Sequence, residues 1–184
     1  MAQISINSLL GDDGPAYSEI KVAPYRKELV QAGFIELLTP DDVDQALNRQ
    51  DDKIVLVVLN SVCGCSARTG RPGTILSLFN KVIPDELVTL FAGMEKNAVA
   101  HFRQNYLSGQ TPSSPNIALF KNGQLIYILH RYQIERMDAT QISNELKDSY
   151  NKVCTLKQSV DAEASLRSHF MEKYQEDPLQ LPTE

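Results

Sequence analysis

Cys63 and Cys65 stand one residue apart in Asn60-Ser61-Val62-Cys63-Gly64-Cys65. They follow the most apolar run in the chain, Ile54-Val55-Leu56-Val57-Val58-Leu59. Two thiols at this spacing suit thiol–disulfide exchange. The ring that joins residue i to i+2 is very small, and the expected strain makes the bond easy to open. The reactive form is the thiolate, so a useful cysteine needs a depressed pKa. Six branched apolar residues in a row read as a strand buried on both faces. The cysteines then fall at the carboxyl end of a central strand, where open α/β sheets place their chemistry. A handover from that strand to a helix puts Cys63 at the helix amino end, where unpaired N–H groups and the helix dipole favour an anion. Cysteines so placed ionise at about 3.5–7.5, against about 8.5 when free. Arg68 and Arg71 bring positive charge about one turn later, and Gly64 lets the backbone bend between the sulfurs.

Two other readings compete. Free cysteine packs well, so the pair can be two small buried hydrophobes. Thiolates also bind copper(I) and zinc, which makes a soft-metal module the rival of another class. Zinc needs two further ligands, and His101, His130 and His169 show no paired spacing. The third cysteine, Cys154, follows Val153 on a segment with a regular apolar stripe and reads as buried. The bland reading of Arg68 and Arg71 is surface charge, and no role is assigned to His130 beyond the end of a strand.

A chain of 184 residues with 42% apolar content suits one domain with a real core. Net charge is −5, from 18 basic and 23 acidic residues with no basic block, so nucleic acid is not an expected partner. No apolar stretch approaches the roughly 18 residues of a membrane span. Met1-Ala2-Gln3-Ile4-Ser5-Ile6 lacks the features of a signal peptide, which makes a cytoplasmic location the expectation. Three cysteines do not form a disulfide scaffold, and in the cytosol a close pair is catalytic or metal-binding.

The elements that must position the pair follow from pattern. Residues 1–16, with Gly11-Asp12-Asp13-Gly14-Pro15, read as a loose lead-in. Tyr17 to Ala32 reads as a helix, begun or kinked at Pro24 and capped by Gly33. Phe34 to Leu38 predicts a short strand. Thr39-Pro40-Asp41-Asp42 opens a helix to Arg49 that turns Val43, Ala46 and Leu47 inward. After the buried strand and the cysteines, Gly70, Pro72 and Gly73 predict a kinked helix, with Ile75, Leu76 and Phe79 on its apolar face. Leu87 to Ala92 is a second strand, and Ala98, Val99, Phe102 and Tyr106 mark an amphipathic helix. Asn116–Lys121 and Gln124–Leu129 form a hairpin about Asn122-Gly123. Asp138 and Gln141 predict a capping box on a helix carrying Ile142, Leu146, Tyr150 and Val153 on one side. Leu166, Phe170 and Tyr174 suggest a short helix in residues 155–184, and Pro178 and Pro182 a frayed end.

Several stretches resemble the bacilliredoxin family of thioredoxin-like proteins. They are Asn60-Ser61-Val62-Cys63-Gly64-Cys65 with Arg71-Pro72, Glu28 to Phe34, Leu87 to Gly93, and Gly109 to Pro115. The likeness runs in order from about Tyr17 to Val153. It implies an α/β, thioredoxin-like mixed sheet, βαβ then ββα, flanked by helices. Extra α/β elements precede it and a helical extension follows, giving a lead-in of 1–16, a domain of 17–154 and an extension of 155–184. It further implies that Cys63 attacks the mixed disulfide between a client protein and bacillithiol, a low-molecular-weight thiol. Cys65 would stand by as the resolving thiol. Arg68 or Arg71 would hold the carboxylates of bacillithiol, and a cis Ser114–Pro115 bond would face the site. No cofactor is expected, with bacillithiol as co-substrate, S-bacillithiolated proteins as clients and a homodimer as an open partner. A protein disulfide isomerase or reductase is the neighbouring alternative.

Overall fold

The structure, a computed structural model, describes residues 14–180. The Gly11-Asp12-Asp13 and Pro182 expectations lie outside the described residues. The elements are α1 (Glu19–Gln31), β1 (Ile35–Glu36), α2 (Pro40–Leu47), β2 (Ile54–Asn60), α3 (Arg71–Ser77), β3 (Glu86–Phe91), α4 (Lys96–Asn105), β4 (Asn116–Lys121), β5 (Gln124–Leu129), α5 (Arg131–Ile134), α6 (Ala139–Val153) and α7 (Val160–Tyr174).

The five strands form one sheet in the order β1-β3-β2-β4-β5. β2 pairs parallel with β3 and antiparallel with β4, so it occupies the middle. Every residue of β2 is buried, as the unbroken apolar run requires of a strand covered on both sides. Leu56 and Val58 face a layer built from α1, α3, α6 and α7, with Leu29, Ile75, Ile142, Leu146, Tyr150 and Phe170. Val55, Val57 and Leu59 face α2 and α4, with Val43, Leu47, Val99 and Phe102. Each such side chain contributes about 1.5–3 kcal/mol by leaving water. A βαβ unit followed by ββα on this strand order is the thioredoxin-like arrangement.

Local signals account for most element ends. Thr39 accepts from the Asp42 N–H at 3.1 Å while Asp42 accepts from the Thr39 N–H at 2.8 Å, so α2 starts on a closed capping box. Asp138 and Gln141 do the same for α6. Asn122 and Gly123 both take positive φ, 50° and 75°, which is what the two-residue hairpin turn needs. Gly33, at φ 97°, ends α1.

Departures from expectation have local causes. α1 begins at Glu19 and passes through Pro24, which sits on its exposed face where water can meet the carbonyl left without a donor. β1 is only two residues long and α2 ends at Leu47. Val153 lies at the last turn of α6 and is 38% exposed rather than inward. α7 runs for 15 residues, well beyond a short helix, because Leu166 and Phe170 drive it into the main core. α5 was invisible to periodicity because it is a single turn.

Candidate active site

β2 ends at Asn60, and the chain turns through Ser61 and Val62 into a helical turn that opens at Gly64. Ser66–Gly70 form a widened π turn, in which the Arg71 N–H reaches the Ser66 carbonyl. Pro72 then occupies the first turn of α3. Pro72 has no N–H and its ring would press on the carbonyl four residues back, so the wide turn takes up the misfit where a kink was expected.

Cys63 and Cys65 are joined, with Cα atoms 5.5 Å apart. Cys63 is partly exposed, whereas Cys65 is 9% exposed and packs into the core. Two groups donate to Cys63 Sγ: the Ser66 N–H at 3.2 Å and the Ser61 hydroxyl at 3.2 Å. The first is a free amide of the helical first turn, the kind of donor that favours a thiolate. Gly64 is exposed between the sulfurs, and a Cβ there would make only ordinary contact with the Arg68 guanidinium at 3.7 Å. Its φ is not positive, so the backbone does not demand glycine there.

Cys63 opens onto two clefts. One, of about 580 Å³, is lined by Cys63, Gly64, Cys65, Arg68, Thr69, Arg131 and Glu135. The other, of about 270 Å³, is bordered by Tyr17, Ser61, Val62, Cys63, Gly93, Arg103, Ser114 and Arg131 among others. Arg131 thus borders both. Its Nε donates to Glu135 at 2.6 Å and its Nη1 to the Ser114 carbonyl at 3.4 Å. Burial holds Arg103 below the usual guanidinium range. The Ser114–Pro115 bond is cis; Ser114 reaches the second cleft while Pro115 is buried, close to Gly70.

Arg71 corrects the surface-charge reading. It is 2% exposed and lines neither cleft. Its Nε donates to Glu28 Oε2 at 2.8 Å, and Glu28 is 3% exposed. Its Nη1 donates to Asn60 Oδ1 at 3.1 Å, the Ser61 carbonyl at 3.3 Å and Ser66 Oγ at 3.0 Å. Asn60 Oδ1 also accepts from the Ser61 N–H at 2.8 Å and the Ser66 hydroxyl at 2.9 Å. The guanidinium therefore braces the turn from beneath. Sequence reasoning quoted Glu28, Asn60 and Ser61 within motifs but assigned them nothing. Glu28 lies 43 positions from its partner, beyond any local pattern.

Cys154 is 7% exposed, and burial pushes its thiol up to about 12, with Asp85 adding to the shift. Among the described residues, no group of three or more His, Cys, Asp or Glu is arranged to hold a metal, and no helix is long and apolar enough to cross a membrane.

A family model described as disulphide isomerase matches residues 17–154. The bacilliredoxin of Halalkalibacterium halodurans is 44% identical over 138 residues, covering 75% of this chain and 94% of that protein. The bacilliredoxin of Salinibacter ruber is 42% identical over 139 residues, covering 76% and 81%. Among solved structures, a putative oxidoreductase with a thioredoxin fold overlaps at a TM-score of 0.44 and 20% identity, covering 64% of this chain and 96% of that one. The strand order, rather than that overlap, carries the fold assignment. The relatives make the chain a thiol–disulfide oxidoreductase. A match over residues 17–154, with relatives 42–44% identical, makes this chain a member of the bacilliredoxin family.

Proposed function

We propose that the protein removes bacillithiol from S-bacillithiolated client proteins, with Cys63 as the nucleophile and Cys65 as the resolving thiol. The observation that carries this reading is the asymmetry of the pair. Cys63 is partly exposed and receives the Ser66 N–H at 3.2 Å, while Cys65 lies behind it against the core. The Cys63 thiolate attacks the bacillithiol sulfur of the mixed disulfide. A Cys63–bacillithiol disulfide forms and the client leaves as its thiolate. The Cys65 thiolate then attacks Cys63 Sγ, expels bacillithiol as a thiolate and leaves the Cys63–Cys65 disulfide. An external dithiol or thiol reductant supplies two electrons to reopen it.

Arg68 and Arg131, on the larger cleft, offer positive charge to the carboxylates of bacillithiol, while Gly64 leaves the approach to the sulfurs clear. Ser114 and the buried Pro115 shape the opposite wall, where an extended client segment can lie. Arg71 takes no part in contacting substrate. Neither thiol needs a cofactor for this exchange, and the natural setting of bacillithiol chemistry is the reducing cytoplasm.

A second reading rests on the matched family's description as disulphide isomerase. Two assays with the reduced protein separate them: release of bacillithiol from a bacillithiolated client, followed by mass, and recovery of activity from a scrambled disulfide substrate without bacillithiol. The proposal requires fast release and little refolding. Efficient refolding with no release would establish the isomerase instead.

A further inference from the structure

The family match ends at Cys154, yet α7, beyond it, contacts Glu28 of α1, which holds the Arg71 beneath the cysteine turn. The Tyr174 hydroxyl donates to Glu28 Oε1 in a short hydrogen bond. His169 Nε2 lies 3.1 Å from the Glu28 carbonyl, and Lys173 Nζ 3.9 Å from Glu28 Oε2. Glu28 in turn holds Arg71, whose guanidinium stacks 4.8 Å from the Tyr25 ring centroid and grips Asn60, Ser61 and Ser66. Ser61 and Ser66 are the two residues that donate to Cys63 Sγ. A continuous chain of polar contacts therefore links the last turn of α7 to the reactive sulfur.

We propose that Tyr174 is a positioning residue for the oxidoreductase: through Glu28 and Arg71 it holds the Asn60–Ser66 turn in the form that favours the Cys63 thiolate. The inference rests on Cys63 being the nucleophile. The mechanism is electrostatic as well as geometric. Tyr174 draws part of the Glu28 negative charge toward itself, which leaves more of the Arg71 positive charge directed at the turn. Loss of the hydroxyl returns that negative charge to Arg71 and weakens the field at Cys63. The other charged groups around the sulfur are Arg68 on its own helix, Arg131 from α5 and Glu135 just after it, and Arg103 from α4, with the Tyr17 phenol nearby. Arg131 binds Glu135 and the Ser114 carbonyl, and Arg103 the Ser113 carbonyl, so they form a constant background to the comparison.

The test is the rate of Cys63 alkylation by iodoacetamide against pH, in full-length reduced Cys65→Ala protein. Tyr174→Phe is compared with Leu166→Ala, which loosens α7 in the core without touching the polar chain. Tyr174→Phe should raise the pH midpoint by about half a unit, seen as an approximately threefold slower reaction at pH values well below the midpoint. Leu166→Ala should lower the thermal midpoint of unfolding and leave the alkylation midpoint in place. An unchanged midpoint in Tyr174→Phe, or an equal rise in Leu166→Ala, overturns the inference. A parent protein whose Cys63 midpoint lies at or above 8.5, the value of a free thiol, would instead defeat the reading of Cys63 as nucleophile.

Discussion

The backbone N–H of Ser66 points at Cys63 Sγ across 3.2 Å, and the Ser66 hydroxyl points away from it, to Asn60 Oδ1 at 2.9 Å. One residue thus supplies a donor to the sulfur and a peg that fixes where that donor aims. The peg is held in turn by the buried Arg71. Under the proposed mechanism, the reactivity of Cys63 depends on polar contacts beneath the site as much as on the charges around its mouth.

Ser61→Ala removes the side-chain donor to Cys63 Sγ and leaves the Ser66 amide in place. A hydrogen bond of this kind is worth about 1 kcal/mol, so the thiolate should be about fivefold scarcer at pH values well below the midpoint. Stopped-flow alkylation of Cys63 reads this as a slower rate and a midpoint shifted to higher pH. The same midpoint as the parent protein would mean that the hydroxyl does not act on the thiolate.

Glu28→Ala strands a guanidinium that is 2% exposed. Leaving one partner of a buried ion pair uncompensated costs about 3–5 kcal/mol, which denaturant unfolding will register as a lower midpoint. Arg71→Lys should also destabilise, because one ammonium cannot reach Glu28, Asn60, Ser61 and Ser66 from a single planar fork.

Cys154 should resist alkylation in the native protein at pH 8 and react readily once the chain is unfolded. Burial raises its pKa from 9.0 to about 12, so the unfolded thiol releases its proton first as pH climbs. Its contribution to stability is intact below about 9 and declines between about 9 and 12, at up to about 1.4 kcal/mol per pH unit. Cys154→Ala should flatten that part of the stability curve, measured by denaturant titration over the alkaline range.

Gly73→Ala tests why α3 carries a glycine inside a helix. A Cβ there would lie 2.8 Å from both the Ala139 carbonyl oxygen and Ile142 Cβ, so α3 and α6 touch through the missing side chain. Overpacking of this kind costs about 1–3 kcal/mol, and the substitution should lower the thermal midpoint despite alanine's better helix propensity. A gain in stability would show that α6 moves aside freely.

The parts legible from sequence were those written in local chemistry. The six-residue apolar run, the Asn122-Gly123 turn, the Thr39 helix start and the Asp138–Gln141 capping box each depend on residues within a few positions of one another. The cysteine pair was legible because strand end and thiol spacing coincide. What escaped was non-local. Arg71 looked like surface charge because Glu28 comes from α1, and Tyr174 approaches Glu28 from 146 positions away. Arg131 escaped because the single turn of α5 has no period to detect.

The most direct test is to find where the bacillithiol goes. Reduced Cys65→Ala protein is mixed with a bacillithiolated client, quenched within one turnover, digested and mapped by mass. The account predicts one bacillithiol per chain on Cys63, matched by release of the client thiol, and no transfer to Cys63→Ala protein. Transfer to Cys63→Ala at the parental rate, or an adduct on Cys154, would contradict it.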